Sequence, residues 1–138
     1  MGRGMGRGIG RRAVVRLLVA GGFLVAASLH FTAIATEMRL VPPFLPWRRE
    51  LVLLTGVAEI AGALGLLHPR TRRVAAYGLA ALLVAIFPAN VYHAVANIQV
   101  GGVLDSRVYQ WARLPFQALF IWATLWCAAP EATGRGGR

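Results

Sequence analysis

Among the polar or ionisable side chains inside long apolar stretches of this 138-residue chain, eight are candidates for chemistry. The five strongest candidates for chemistry are His30, Glu59, Asn90, Arg113 and Gln117. The secondary candidates are Thr55, His93 and Gln110. A charged side chain at the centre of a bilayer costs on the order of 3 kcal/mol, so it is protonated, paired or hydrated there. Residues of this kind mark proton relays and ligand sites, which makes them the first candidates for a function.

Four apolar segments must position these side chains. Each is too long for a strand and lacks period-two alternation, so the sequence predicts an all-α fold with four transmembrane helices. The expected helices cover about 14–37, 51–67, 74–98 and 108–129 within one membrane domain, 14–130. The connections are short, which predicts an up-down-up-down bundle. Residues 1–13 and 131–138 are rich in glycine and arginine and are predicted to be disordered tails.

Helical spacing brings the polar residues to similar depths. Glu59 lies about 12 Å from the outer end of the second helix, near the middle of the bilayer core. Arg113 and Gln117 share a face of the fourth helix with Gln110, and Asn90 shares a face of the third with His93. We therefore expect the four helices to turn polar stripes toward one another in the outer half of the membrane.

Two interpretations of this cluster are open. In the first, Glu59 and Arg113 form an ion pair, with hydrogen bonds from Gln117, Asn90 and His30, that only fixes helix packing. In the second, an outward-facing polar pocket binds a quinone ring or a lipid-like headgroup, and Glu59 or His30 handles a proton. Five polar side chains exceed what one structural pair requires, which favours the pocket.

The charge pattern indicates a membrane topology. The chain has 15 basic and 5 acidic residues, a net charge of +10, yet 57% of its residues are apolar. This combination argues against a nucleic-acid-binding domain or a disordered basic chain, because either would hold fewer apolar residues. Ten arginines fall on the side that holds both termini and five on the other side. The positive-inside rule then places both termini in the cytoplasm and the protein in the inner membrane.

The sequence lacks the residues that several kinds of chemistry require. A single cysteine, Cys127, provides neither a dithiol nor a cysteine metal site. His30 and His93 do not show a metal-binding HxxxH spacing, so we expect no metal centre. We expect no stand-alone enzymatic activity. The lipid bilayer is the predicted partner, and a homo-oligomer is left open.

The chain resembles the DoxX-like family of small four-helix membrane proteins from about Val14 to Ala129. Five motifs carry the resemblance in order: HF at 30–31, PFLP at 43–46, TGVAE at 55–59, FPAN at 87–90 and RLPFQ at 113–117. The resemblance implies a four-helix bundle and a link to membrane redox complexes. Redox chemistry would then need a bound quinone or a redox-protein partner, because the chain itself has no dithiol or flavin motif.

Overall fold

Every regular element in the described part of the chain, residues 10–130 of the computed structural model, is helical, which confirms the all-α prediction. The long helices are α1 (Arg11–Thr32), α3 (Arg48–Leu67), α4 (Arg72–Ala96) and α5 (Arg107–Ala128). A short helix, α2 (Ile34–Leu40), and a 3₁₀ helix at Gly102–Asp105 lie in the connections. Residues 1–9 and 131–138 of the predicted tails fall outside the described residues, and residues 11–13, predicted to be disordered, belong to α1.

The first apolar segment was predicted to be one helix over 14–37, but it forms two helices. Helix α1 begins earlier, at Arg11, and the chain leaves helical geometry at Ala33 (φ −122°, ψ 35°) before α2 starts. Two hydroxyl groups bond back to the helix just before this break: Ser28 to the Val25 carbonyl at 2.6 Å and Thr32 to the Ser28 carbonyl at 2.9 Å. Such bonds bend helices. The other long helices begin and end within three residues of their predicted bounds.

Three helices, α1, α3 and α4, are long and apolar enough to cross a membrane. A 22-residue helix such as α1 spans about 33 Å, slightly more than a hydrocarbon core. Large apolar side chains point outward on these helices, including Leu18, Leu54 and Val74, each more than 60% exposed. Outward-facing leucine and valine are stable in lipid, so the chain is a membrane protein. Helix α5 matches α1 in length, but its polar residues and tryptophans make it less apolar.

The long helices pack as a ring of neighbours. Helix α1 contacts α3 and α5, and α4 also contacts α3 and α5. The buried core between them is apolar and includes Phe23, Leu66, Leu79 and Cys127. Phe23 packs against Phe120 of α5 with ring centroids 4.9 Å apart. This core lies toward the end of the bundle that holds the start of α1, and the predicted polar residues lie toward the opposite end.

Arginines join the start of α1 to the end of α5. The Arg16 guanidinium donates to the Cys127 carbonyl from Nε at 3.2 Å and from Nη2 at 2.8 Å, and only 7% of the residue is exposed. Arg12 donates to the carbonyls of Ala129 and Pro130 and lies over the Trp126 ring. Cys127 carries one of the last carbonyls of α5, which have no donor within their own helix, so Arg16 satisfies it. The positive charges of Arg12 and Arg16 also favour the negative end of the helix dipole.

The connection between α4 and α5 is held by one carboxylate. Asp105 accepts hydrogen bonds from the amides of Val100 and Gly101 at 2.7 and 2.8 Å, and these bonds lower the pKa of its carboxyl group. The chain can turn here because Gly101 and Gly102 adopt φ values of 109° and 69°. The turn fixes where α5 starts and therefore how its polar face meets α4.

Candidate functional site

The closest contact between ionisable groups in the interior joins α1 to α3. His30 Nε2 lies 3.5 Å from Glu59 Oε2, and only 6% of the Glu59 side chain is exposed. His30 itself is 14% exposed, so the pair lies inside the bundle with the carboxylate deeper than the imidazole. A buried carboxylate needs a partner, and the His30 imidazole is the ionisable group that lies beside it.

A glycine permits this close approach. A Cβ at Gly56, one turn before Glu59, would lie 2.9 Å from His30 Cβ and 2.9 Å from Phe31 Cε2. Real Cβ atoms do not come so close to other carbon atoms, so a larger residue would push α1 and α3 apart. Small residues at helix contacts serve this purpose in membranes. Gly56 therefore sets the distance between His30 and Glu59.

A second carboxylate lies on the outer side of His30. His30 Nδ1 is 3.7 Å from Glu37 Oε2, and the Glu37 side chain is 18% exposed. Glu37 lies on α2, after the break at Ala33, and reaches His30 near the end of α1. Glu37, His30 and Glu59 thus form a line of ionisable groups that leads from the end of the bundle to its interior. We name these three residues the acid–imidazole line.

Two atoms of the acid–imidazole line lack hydrogen bonds. His30 Nδ1 and Glu59 Oε2 are both shielded from solvent, and their contacts at 3.7 Å with Glu37 and 3.5 Å with His30 Nε2 are too long to be good hydrogen bonds. A buried polar atom without a partner costs about 1–3 kcal/mol, and a charged one costs more. Such atoms are uncommon in folded proteins, and each one requires a physical reason. A bound polar group that donates to Glu59 or accepts from His30 would remove this cost.

Asn90 of α4 and Gln117 of α5, by contrast, are hydrogen-bonded to each other. Asn90 Nδ2 donates to Gln117 Oε1 at 2.6 Å, and Gln117 Nε2 donates to the Leu83 carbonyl at 2.6 Å. The Leu83 carbonyl lies next to that of Val84, which loses its helical donor because Pro88 has no amide hydrogen. Gln117 supplies a donor to this turn, as side chains of neighbouring helices commonly do beside a transmembrane proline.

His93 and Gln110 also have partners in the backbone. His93 Nε2 lies 3.1 Å from the Ile98 carbonyl oxygen, and Gln110 Nε2 donates to the same oxygen at 3.3 Å and to the Leu104 carbonyl at 3.1 Å. Both side chains are 1% exposed. Their bonds hold the end of α4 against the start of α5, so their geometry is that of a structural contact. Gln110 Oε1 alone stays without a partner.

The ion pair between Glu59 and Arg113, which belonged to the packing interpretation, is absent from residues 10–130. Within residues 10–130 the partner of Glu59 is His30, and Arg113 makes no ion pair with either carboxylate of the acid–imidazole line. Arg113 is half-buried on α5 and its charge acts on His30 and His93 from a distance. Helix spacing placed Arg113 on the correct face of α5, but α5 packs against α4 more than against α3.

Two further residues complete the comparison with the predicted site: Thr55, which was predicted, and Glu37, which was not. Thr55 bonds back to the Leu51 carbonyl of its own helix at 2.7 Å and does not reach the cluster. Glu37 was missed as a site residue, although a signal was present: it lies seven residues after His30, on the same face if the helix continues. Within residues 10–130, no three histidine, cysteine or acidic side chains are arranged to hold a metal ion.

The comparisons with known proteins give a family without an assigned function. The model of a family described as a domain of unknown function, DUF8561, matches residues 19–128. The chain belongs to this family. The match runs from residue 19, within α1, to the last residue of α5 of this DUF8561 protein, and it includes all three residues of the acid–imidazole line. No curated protein and no solved structure matches the chain.

Proposed function

We propose that this protein binds a quinone or a lipid-like ligand with a polar headgroup at the His30–Glu59 pair. The observation that carries the proposal is the contrast in hydrogen bonding between the two halves of the polar cluster. Asn90 and Gln117 are joined by a hydrogen bond of 2.6 Å, whereas His30 Nδ1 and Glu59 Oε2 are buried, lie 3.7 and 3.5 Å from their ionisable neighbours and make no hydrogen bond. A pair that served packing alone would be satisfied in the same way as Asn90 and Gln117.

The chemistry of the pair suits a quinone ring. An imidazole N–H donates to a quinone carbonyl, and a carboxylate accepts from a quinol hydroxyl, so the pair can bind either form of the ring. Glu37 lies at the outer end of the acid–imidazole line, where it can exchange protons with water. His30 then passes a proton between Glu37 and Glu59 by protonation of one ring nitrogen and release from the other.

The proposed role is that of a membrane subunit without stand-alone catalysis. The resemblance to DoxX-like proteins supports a link to a membrane redox complex, in which electrons would come from a redox-protein partner. The single cysteine of the chain is buried and cannot form an internal dithiol, which fits this division of labour. The His30–Glu59 pair would bind the ring and supply or accept its protons.

We propose an up-down-up-down arrangement in which α5 is the fourth transmembrane helix and both termini are cytoplasmic. The contacts support it: Arg12 of α1 meets Pro130 after α5, and Gly56 near the start of α3 meets His30 near the end of α1. Arginine counts support the orientation, with ten on the side of the termini and five on the other. In this orientation the acid–imidazole line opens away from the cytoplasm, in the inner membrane.

Reporter fusions test this topology. A fusion after residue 100 is expected to activate a periplasmic phosphatase, because that position follows α4 on the outer side. A fusion after Pro130 is expected to activate a cytoplasmic fluorescent protein and leave the phosphatase inactive. Phosphatase activity at both positions would show that α5 does not cross the membrane. Phosphatase activity after Pro130 alone would reverse the orientation.

A structural subunit is the second candidate. The observation that favours it is the set of hydrogen bonds made by Asn90, Gln117, His93 and Gln110, which hold α4 against α5. In that case the His30–Glu59 pair would likewise serve only to hold α1 against α3.

Retention of a native ligand separates these two functions. We expect that solvent extraction of purified wild-type protein releases a quinone or lipid-like molecule, identified by mass spectrometry. His30→Gln is expected to lose it, since glutamine cannot exchange a proton with Glu59. His68→Gln is the matched control, because His68 is exposed at the far end of α3. Equal retention in both variants, or no molecule in wild type and no uptake of added menadione, would contradict the proposal.

A further inference from the structure

A large apolar groove lies on the outside of the bundle between α3 and α4. Its volume is about 810 Å³, and glycine and alanine residues form much of its wall, among them Ala58, Gly62, Gly78 and Ala85. The groove does not touch His30, Glu37 or Glu59. Gly78 is open to it: a Cβ built there meets no atom within 4 Å. The groove is therefore independent of the site proposed above.

One end of the groove is basic. Arg70 and Thr71 line it at the turn between α3 and α4, and Arg72 and Arg73 follow directly. The Arg70 side chain is exposed and makes no hydrogen bond or ion pair with other residues in 10–130, and Arg72 Nε is buried without a partner. The acidic residues of that range lie elsewhere, with Glu37, Glu50 and Asp105 toward the opposite end of the bundle and Glu59 inside it.

We propose that this groove binds one anionic phospholipid, with its phosphate at Arg70 and an acyl chain along the apolar wall. The two parts of the groove match the two parts of such a lipid: an arginine donates bidentate hydrogen bonds to phosphate oxygens, and the small residues leave room for a hydrocarbon chain between the helices. Arg70 lies at the level where a headgroup meets the end of a membrane helix. Basic pockets between membrane helices bind anionic headgroups in this way.

A second copy of the chain is the competing occupant, and the charges disfavour it. In a symmetric pair within one membrane, equal ends of the bundle lie at the same depth. Two α3–α4 turns would then place Arg70, Arg72 and Arg73 of one chain beside the same residues of the other. Like charges at this spacing repel, with no carboxylate among the described residues of this end to compensate. A lipid phosphate brings the opposite charge.

Native mass spectrometry tests the proposal on the purified full-length protein in detergent. The probes are phosphatidylglycerol, phosphatidylcholine and glycerol 3-phosphate, which separate an anionic lipid, a zwitterionic lipid and the headgroup chemistry alone. Wild-type protein is expected to bind one phosphatidylglycerol more tightly than phosphatidylcholine by about tenfold. Glycerol 3-phosphate is expected to bind far more weakly than the whole lipid, since it lacks the acyl chains.

Two variants with matched controls locate the lipid. Gly78→Leu fills the groove and is expected to weaken phosphatidylglycerol binding about tenfold, whereas Gly21→Leu places the same side chain in open space on α1 and leaves binding unchanged. Arg70→Gln is expected to weaken binding about fivefold, and Arg48→Gln at the opposite end is its control. A thiol-reactive dye that reports exposure of the buried Cys127 verifies that each variant is folded.

Several results would overturn the proposal. Equal binding of phosphatidylglycerol and phosphatidylcholine would mean that Arg70 does not bind a lipid phosphate and contributes only to the orientation of the protein in the membrane. Equal binding of glycerol 3-phosphate and the lipid would indicate a free-phosphate site. Loss of a dimer in Gly78→Leu, without loss of lipid, would assign the groove to a second copy. Unchanged lipid binding in Gly78→Leu and Arg70→Gln would place the lipid elsewhere. None of these results bears on the His30–Glu59 pair.

Discussion

Replacement of Gly56 by leucine is expected to lower the free energy of unfolding by about 2 kcal/mol and to separate His30 from Glu59. A side chain forced into a packed contact costs about 3 kcal/mol at the upper end of the usual range, and removal of a helical glycine returns about 1 kcal/mol. The steric cost wins because even a Cβ at Gly56 would lie 2.9 Å from His30 Cβ. The backbone of α1 must move, since His30 Cβ cannot rotate away.

Thermal unfolding followed through Cys127 measures this effect. Cys127 is the only cysteine of the chain and is fully buried, so a thiol-reactive fluorescent dye labels it only when the core opens. Gly21→Leu is the control, because a Cβ at Gly21 meets nothing within 4 Å. The unfolding midpoint of Gly21→Leu should equal that of wild type or lie slightly above it. Equal midpoints for Gly56→Leu and wild type would show that α1 and α3 are not held at this distance.

Replacement of Gln117 by leucine is expected to lower the free energy of unfolding by about 1–3 kcal/mol. The change removes both hydrogen bonds of the side chain, one with the Asn90 amide and one with the Leu83 carbonyl next to the proline turn. Hydrogen bonds in membrane proteins contribute about 0.6 kcal/mol on average and about 1.7 at most. The effect is larger than one average bond because two buried groups lose their partner together.

A double-mutant cycle with Asn90 separates the two bonds. Asn90→Leu alone leaves Gln117 Oε1 unpaired but keeps the bond to Leu83. The double variant Asn90→Leu with Gln117→Leu removes both ends of the amide pair, so its loss of stability should be smaller than the sum of the single losses. The same Cys127 labelling assay gives all four values. Strict additivity would mean that the two amides are not coupled.

Apolar length was sufficient to predict most of the fold. The segments around α1, α3 and α4 are long stretches of leucine, valine and alanine with one intramembrane charge at most, and the structure confirms them as candidate spans. The break at Ala33 was harder to predict because no proline or glycine marks it. It follows Ser28 and Thr32, whose hydroxyl groups bond back to carbonyls of α1. Such residues occur in straight helices as well as in bent ones, so their presence alone does not predict a break.

The site shows where helical spacing stops being informative. Spacing within one helix assigns side chains to a face, and it correctly grouped Gln110, Arg113 and Gln117 on α5. It does not state which neighbouring helix that face meets. The partner of Glu59 depended on the contact of α1 with α3, which Gly56 allows, so His30 and not Arg113 lies beside the carboxylate. The resemblance to DoxX-like proteins stays a prediction.

The central claim is that the polar cluster contains a ligand pair and a packing pair with different roles. The most direct test measures the affinity for a short-chain quinone and the unfolding midpoint of Glu59→Gln and Gln117→Leu in parallel. We predict that Glu59→Gln weakens quinone binding about tenfold or more with little change in midpoint, because a charge-assisted hydrogen bond is lost. Gln117→Leu should lower the midpoint and leave the affinity of the folded protein unchanged. The opposite result, a destabilised Glu59→Gln whose quinone affinity equals that of wild type, would contradict the account.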